Sequence, residues 1–441
     1  MSAETLDQLR AGALHGTSRL DLSAGLTTVP PEILTLSDSL EILNLSDNCL
    51  TDLPNWLPEL KKLRILFCSN NRFRDVPEIL GRCPALDMIG FKSCQIETVS
   101  PAALPPALRW LILTDNRLAE LPPDLGTCAR LQKLMLSGNR LTVLPPELAR
   151  CQNLELLRLA SNQFEAFPEW LWNLPSLAWL AVAGNPCTAM PASPDQTIRE
   201  IPWDQLTMGR LLGEGASGLI HQAAWMPKAG LSACEVAVKL FKGAMTSDGL
   251  PASEMAACLA VGGHPHCVGA IGRIAAHPDN IEGLVMPLLE AGYRPLAGPP
   301  SLDSCTRDIY ATEFQLSTLQ AVRLIAEIST AAAHVHSMGF LHGDLYAHNV
   351  LHSPGGGALL SDFGAASSYP PGDPGILERF EVRSIGILIQ EILDRCTDHT
   401  ALPAGLPALP AVCRQPDVAE RPTFREIAGM LRDGAGVTVS P

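Results

Sequence analysis

The feature that most constrains the fold is a period of 23 residues that runs through the first half of the chain. The segments LEILNLSDNCL, LRILFCSNNRF, LDMIGFKSCQI, LRWLILTDNRL, LQKLMLSGNRL, LELLRLASNQF and LAWLAVAGNPC align on a single column. With one step of 22 residues, that column contains Asn48, Asn71, Cys94, Asn116, Asn139, Asn162 and Asn185. A degenerate first unit, SRLDLSAGLTTV, raises the number to eight. A fixed period of this length predicts a solenoid.

Each unit is predicted to contribute a short parallel strand whose leucines, such as Leu43 and Leu45, point into a shared core. The asparagine or cysteine at the following turn can hydrogen-bond the backbone of neighbouring units, so the column should form a ladder. Between the strands, LPPDL, LPPEL and VPEIL place prolines where irregular or short helical turns are expected on the convex side.

The pattern L-x-x-L-x-L-x-x-N/C-x-L resembles that of leucine-rich repeats. The resemblance implies an α/β leucine-rich-repeat solenoid over residues 1–190, with a concave face that binds a partner or substrate protein. A spacer without a ligand is the alternative. The residues that flank the inward leucines should point out of the concave face, and many are apolar. We predict a partner-binding strip with Trp110 and Trp179 as aromatic anchors, together with Phe67 and Met135. Two alternatives are that the second half of the chain covers this strip and that the register is off by one.

The repeat ends after Asn185, and residues 191–203 read as a linker rich in proline, serine and threonine. From residue 204 to 436 the chain carries a different set of motifs. LLGEGASGLIHQA contains G-x-G-x-x-G as Gly213, Gly215 and Gly218. EVAVKLF then alternates like a strand and contains Lys239. Further on, HGDLYAHN and SDFG follow in order.

The order and spacing of these motifs resemble the protein-kinase signature, which implies an α+β bilobal kinase domain that uses ATP and Mg²⁺. By this resemblance, the glycines let the backbone approach the phosphates, and Lys239 reaches them while paired with Glu254. Asp344 would accept or orient the substrate hydroxyl proton, and Asn349 and Asp362 would hold magnesium. The adenine contacts implied by the resemblance are Ile220, Ala237, Met286 as gatekeeper, Leu288 and Leu351.

The chain departs from the kinase pattern near the catalytic loop. Gly343 stands where the family has an arginine that binds a phosphate on the activation loop, so activity should not depend on that phosphate. The residues Tyr346, Ala347 and His348 replace a segment that normally carries a lysine or arginine near the γ-phosphate. Sixteen residues separate Gly364 from Glu381, and no A-P-E motif occurs among them. By the resemblance, Arg421 would pair with the glutamate of that missing motif. These departures concern protein-substrate docking more than the ATP site.

The sequence therefore predicts an ATP- and magnesium-dependent protein kinase, of the serine/threonine type, that selects its protein substrate through the repeats. Two alternatives remain open. One is a pseudokinase scaffold that binds nucleotide without transferring phosphate, and the other is a small-molecule kinase of the same fold.

Bulk properties restrict the partners and the compartment. The net charge of −14 disfavours nucleic acid and anionic lipid. The N-terminus lacks the pattern of a secretory signal, and no stretch is long enough for a membrane span. The 13 cysteines include no C-x-x-C pair, which favours reduced thiols and a cytoplasmic location.

Overall fold

The computed structural model divides the chain into two compact units, Met1–Leu177 and Ala178–Pro441. The division falls inside the eighth repeat rather than in the expected linker. Most of that linker lies outside the described residues. The structure describes residues 2–188, 199–215, 217–227, 233–243, 246, 248–355, 357–370, 373 and 375–435.

The first unit is a solenoid built on seven parallel three-residue strands. Each strand pairs in register with the next. The leucines at the centre of the strands, such as Leu43 and Leu66, are fully buried. This confirms the predicted register. The strands are Arg19–Asp21, Ile42–Asn44, Ile65–Phe67, Met88–Gly90, Trp110–Ile112, Lys133–Met135 and Leu156–Arg158, and the chain begins with the helix Ser2–Arg10.

The asparagine column forms the predicted ladder. Asn71 donates through Nδ2 to the carbonyl oxygen of Leu45 in the preceding unit at 2.9 Å, and its Oδ1 accepts the N–H of Leu50 at 2.8 Å. Asn116, Asn139 and Asn162 repeat this arrangement. Cys94 replaces the amide with an Sγ contact of 3.4 Å to the carbonyl oxygen of Cys68. These column residues of the first unit therefore each tie their repeat to the one before it.

Short helical turns form the convex side, as the prolines predict. Most are 3₁₀ turns with proline at or just before their first residue, where no backbone N–H is needed. They are Pro31–Leu36, Leu57–Glu59, Glu78–Arg82, Pro101–Ala103, Pro123–Thr127, Pro146–Arg150 and Glu169–Asn173, with two minor strands at Asp75–Val76 and Thr98–Val99.

The side chains of the predicted partner-binding strip are less exposed than expected. The prediction that Trp179 is an exposed aromatic anchor is wrong. Trp179 is 1% exposed, because its ring stacks on Tyr346 with centroids 4.0 Å apart. Phe67, Trp110 and Met135 are half-buried. Trp110 donates its Nε1–H to Sδ of Met135 at 3.4 Å, and Nζ of Lys133 lies 4.2 Å from the Trp110 ring centroid.

The second unit contains a six-stranded mixed sheet and a helical region, as expected for a bilobal kinase domain. The sheet runs, in spatial order, through Glu200–Pro202, Gly272–Ala275, Gly283–Pro287, Cys234–Phe241, Gly218–Trp225 and Leu206–Glu214. The first strand of this sheet along the chain, Glu200–Pro202, lies within the stretch predicted as a linker. The helix Pro251–Val261 supplies four residues to the hydrophobic core of this unit, namely Met255, Ala257, Cys258 and Val261.

The helical region is organised around the long helices Thr318–Ser337 and Ile376–Leu393. Ser317 and Gln320 form a capping box at the start of the first. The helices Leu409–Cys413 and Phe424–Ala435 complete the region, with short strands at Arg294–Pro295, Phe340–Leu341, Val350–His352, Ala358–Leu360 and Ser367–Ser368. Among the described residues, no helix is both long and apolar enough to cross a membrane.

Residues 178–188, the end of the eighth repeat, also belong to the second unit. They contain the strand Trp179–Ala181 and the turn Pro186–Thr188. The indole Nε1–H of Trp179 donates to the carbonyl oxygen of Leu345 at 3.2 Å, across 166 positions of sequence. Such contacts explain why the compact unit begins at Ala178.

Candidate active site

A cavity of about 730 Å³ lies between the six-stranded sheet and the helical region of the second unit. Its apolar wall contains the residues predicted to contact adenine, and its other wall carries charged groups. The predicted residues that line it are Gly215, Gly218, Ile220, Ala237, Lys239, Glu254, Met286, Leu288, Leu351 and Asp362. Three predicted site residues lie outside this lining: Gly213, in the strand Leu206–Glu214, and the two residues Asp344 and Asn349.

Lys239 and Glu254 meet in a buried ion pair at the inner end of the cavity. The strand Cys234–Phe241 positions the lysine and the helix Pro251–Val261 positions the glutamate. Nζ of Lys239 hydrogen-bonds Oε1 of Glu254. Burial raises the pKa of Glu254, the charge of Lys239 opposes that rise, and the nearby charge of Asp362 adds to it. The pair therefore holds the Lys239 ammonium group in place at the wall of the cavity.

The glycines of the predicted phosphate-binding loop have two different structural surroundings. A Cβ added to Gly215 would meet nothing within 4 Å, so its backbone borders open space at the cavity. A Cβ on Gly218 would lie 2.5 Å from the carbonyl oxygen of Leu240 in the adjacent strand. Gly218 is therefore required for strand packing inside the protein, whereas Gly215 leaves space for a ligand.

The catalytic-loop residues Asp344 and Asn349 are hydrogen-bonded to each other. Nδ2 of Asn349 donates to Oδ2 of Asp344 at 3.0 Å and to the carbonyl oxygen of Asp344 at 2.8 Å. Because both bonds use the amide nitrogen, the side-chain oxygen of Asn349 faces away from Asp344. The turn Ala347–Asn349 holds this geometry between the loop and the strand Val350–His352.

Asn349 and Asp362, the predicted magnesium ligands, carry side-chain oxygens of the type that magnesium prefers. Magnesium prefers oxygen ligands, and one or two protein side chains suffice when substrate phosphates and waters complete the coordination. Asp362 has φ of +56°, and its Oδ1 accepts the N–H of Gly364 at 3.1 Å, which orients the carboxylate at the cavity. No cluster of three acidic, histidine or cysteine side chains suited to a metal occurs within the described residues. The site would therefore need phosphate as a further ligand.

His348 is held by Asp308, a residue that the sequence did not suggest. Nδ1 of His348 lies 2.7 Å from Oδ1 of Asp308, and its backbone N–H donates to Oδ2 of Asp308 at 2.9 Å. Nε2 of His348 lies 4.0 Å from Oδ2 of Asp344. Burial alone would lower the pKa of His348, but the bond to Asp308 and the charges of Asp344 and Asp362 raise it. The imidazole thus gains cationic character beside the catalytic loop.

Glu381 supports the catalytic loop from the helix Ile376–Leu393. Its carboxylate is 1% exposed and accepts the N–H of His342 at 3.0 Å and that of Gly343 at 2.5 Å. It also contacts Nε2 of His336 at 2.8 Å. Burial would raise the pKa of Glu381, but these hydrogen bonds hold it below its ordinary value.

The sequence lacks the A-P-E glutamate that would pair with Arg421, and this arginine instead donates hydrogen bonds to the main chain. Its Nε donates to the carbonyl oxygen of Gln415 at 2.8 Å and its Nη1 to that of Phe380 at 3.2 Å. Burial and the nearby Arg383 lower the pKa of Arg421 to about 10. Main-chain carbonyls therefore accept hydrogen bonds from this guanidinium.

Comparisons with known proteins agree with both halves of this description. Residues 206–373 match the family described as protein tyrosine and serine/threonine kinase. Residues 129–186 and 38–81 match two leucine-rich-repeat families. The chain is 30% identical over 174 residues to a protein of Dictyostelium discoideum named probable serine/threonine-protein kinase gdt4. That alignment covers 38% of this chain and 9% of the relative's length.

Proposed function

Because the chain combines leucine-rich repeats with a protein kinase domain, we propose that it transfers phosphate from ATP to serine or threonine side chains of proteins. One observation carries this proposal: the buried Lys239–Glu254 pair and Asp362 line one cavity. The Asp344–Asn349 pair holds the loop that would carry the catalytic aspartate. A pseudokinase scaffold would not need all of these groups.

In the proposed reaction, Lys239 positions the phosphates of ATP, and Glu254 fixes the lysine. Asn349 and Asp362 would hold magnesium, which when bound neutralises charge on the transferring phosphate. Asp344 accepts or orients the proton of the substrate hydroxyl, and Asn349 keeps its carboxylate in place. His348 lies beside Asp344, and the raised pKa of its imidazole favours the protonated form there. Most of the rate enhancement would come from this positioning and electrostatic stabilisation.

Radiolabelled ATP tests the proposal. The wild-type chain should label generic protein substrates on serine or threonine, and Asp344→Asn should reduce labelling by about 10³-fold, equivalent to about 4 kcal/mol of barrier. Nucleotide binding with no transfer by the wild type would favour the scaffold. Transfer to small molecules but not to proteins would favour the small-molecule kinase.

We further propose that the repeats select the protein substrate through the cluster of Phe67, Trp110 and Met135 on the concave strands. These side chains are half-buried, and the contact between Trp110 and Met135 makes them one apolar surface beside Lys133. Clustered aromatic and methionine side chains are typical anchors of protein interfaces. The thirteen free cysteines fit a reducing compartment, and we propose a cytoplasmic location.

The double variant Trp110→Ser/Met135→Ser tests the repeat surface. It should lower kcat/KM for a full-length protein substrate at least tenfold and leave that for a short peptide unchanged. Val143→Ser is the matched control, since Val143 is 66% exposed and lies outside the strand face. Equal values for the protein substrate in the double variant and the control would rule out this surface.

A further inference from the structure

The end of the eighth repeat contacts the catalytic loop at the position where the family's arginine is absent. The indole ring of Trp179 is stacked on Tyr346 at an interplanar angle of 8°, and its Nε1–H donates to Leu345. The guanidinium carbon of Arg307 also lies 5.4 Å from the centroid of the Trp179 ring. Two of the three residues that follow Asp344 are therefore fixed by one tryptophan.

The same segment contacts the chain that follows the D-F-G motif. The backbone N–H of Val182 donates to Oγ of Ser367 at 3.0 Å, and Oγ of Ser368 donates to the carbonyl oxygen of Thr188 at 2.6 Å. The strand Ser367–Ser368 pairs in turn with Phe340–Leu341, which leads into the catalytic loop. Residues 178–188 thus contact the strand Ser367–Ser368 directly and the strand Phe340–Leu341 through it.

Gly343 shows why no arginine can occupy its position in this arrangement. A Cβ there would lie 2.6 Å from the carbonyl oxygens of both Leu180 and Ala365, and the residue has φ of +77°. The backbone of the repeat segment occupies the space into which a side chain would extend. In this arrangement, the repeat segment and an arginine side chain at position 343 therefore exclude each other.

We propose that residues 178–188 are a built-in positioning element for the catalytic loop, which holds that loop without a phosphate on the activation segment. Trp179 is its main positioning residue, acting through Leu345 and Tyr346. The part of this inference that is tested by measuring kcat rests on the proposed kinase function. None of the contacts described above involves a residue that lines the ATP cavity, so nucleotide binding should be independent of the element.

Hydrogen exchange on the full chain gives the first test and does not depend on catalysis. In Trp179→Ala, peptides that cover residues 340–346 should exchange at least tenfold faster than in the wild type. Trp179→Phe keeps an aromatic ring for Tyr346 and loses the hydrogen bond, so it should be intermediate. Trp172→Ala removes a half-buried tryptophan from a convex turn and should leave these peptides unchanged. Unchanged exchange in Trp179→Ala would overturn the inference.

Kinetics give the second test. Trp179→Ala should lower kcat at least tenfold with KM for ATP within about twofold, and Trp179→Phe should recover part of the loss. A higher kcat in Trp179→Ala would identify the element as a brake and contradict the proposal. If the wild type transfers no phosphate, the kinase assignment fails while the exchange result still decides the structural claim.

A glycine pair keeps the inference testable if Trp179→Ala does not fold. Gly343 and Gly339 have nearly the same φ, +77° and +78°, but a Cβ on Gly339 would meet nothing within 4 Å. Both alanine variants carry the same backbone strain, so their difference measures displacement of the repeat segment. Gly343→Ala should lose at least tenfold more kcat than Gly339→Ala and show faster exchange at residues 340–346. Matching behaviour of the two variants would overturn the proposal.

Discussion

The ATP side and the catalytic-loop side of the candidate site are supported in different ways. On the ATP side, Lys239 and Glu254 follow the family pattern, and a strand and the next helix along the chain place them. On the catalytic-loop side, Gly343 replaces an arginine, and support comes from Trp179 and Glu381. Near Gly343, segments that are distant along the chain therefore contact the loop at the position where the family has an arginine.

The largest effect should come from Asp362, the proposed magnesium ligand on the ATP side. Asp362→Ala should reduce transfer at least 10³-fold, about 4 kcal/mol of barrier, and abolish the magnesium dependence of nucleotide binding. Isothermal titration with and without EDTA measures the second effect. Retained magnesium-dependent binding in this variant would show that other residues hold the ion.

Lys239→Met should have the next largest effect. The substitution removes the cation that positions phosphate and leaves Glu254 buried without its charge partner. We expect a loss of activity of about 10²-fold, or about 2.7 kcal/mol of barrier, with the fold intact by circular dichroism. Turnover near that of the wild type would contradict the assignment of the glycine loop and this lysine.

Much of the repeat fold and of the candidate site could be predicted from the sequence, because regular strands and helices place the residues concerned. The period fixed the strand register of the repeats and the ladder of Asn71 and its equivalents. Strand alternation could not show that Trp179 is buried, since its contact with Leu345 joins residues 166 positions apart. Asp308 was missed for the same reason, since it lies 40 positions before His348 and outside every motif.

Glu381→Gln tests the catalytic-loop side with a smaller expected effect. The amide would place a donor against the backbone N–H of His342 or Gly343, both of which now donate to the carboxylate. Hydrogen bonds to charged groups contribute about 1.5–3 kcal/mol, so kcat should fall about tenfold or more. KM for ATP should not change.

Glu378→Gln is the matched control for this variant. Glu378 lies one turn earlier on the same helix, and its Oε1 accepts the N–H of Phe424 at 2.9 Å, which an amide oxygen can also do. We expect little change in kcat. Equal losses in the two variants would mean that the effect comes from helix stability and not from the loop.

Phosphatase treatment tests the central claim most directly, because the claim is that folded protein segments hold the catalytic loop without a phosphate. The wild-type chain should be treated with a broad-specificity phosphatase, checked by mass spectrometry for complete dephosphorylation, and assayed on a generic peptide. We predict that more than about half of the activity remains, since Gly343 offers no guanidinium to bind a phosphate. A loss of more than about tenfold, equal to about 1.4 kcal/mol of barrier, would contradict the account.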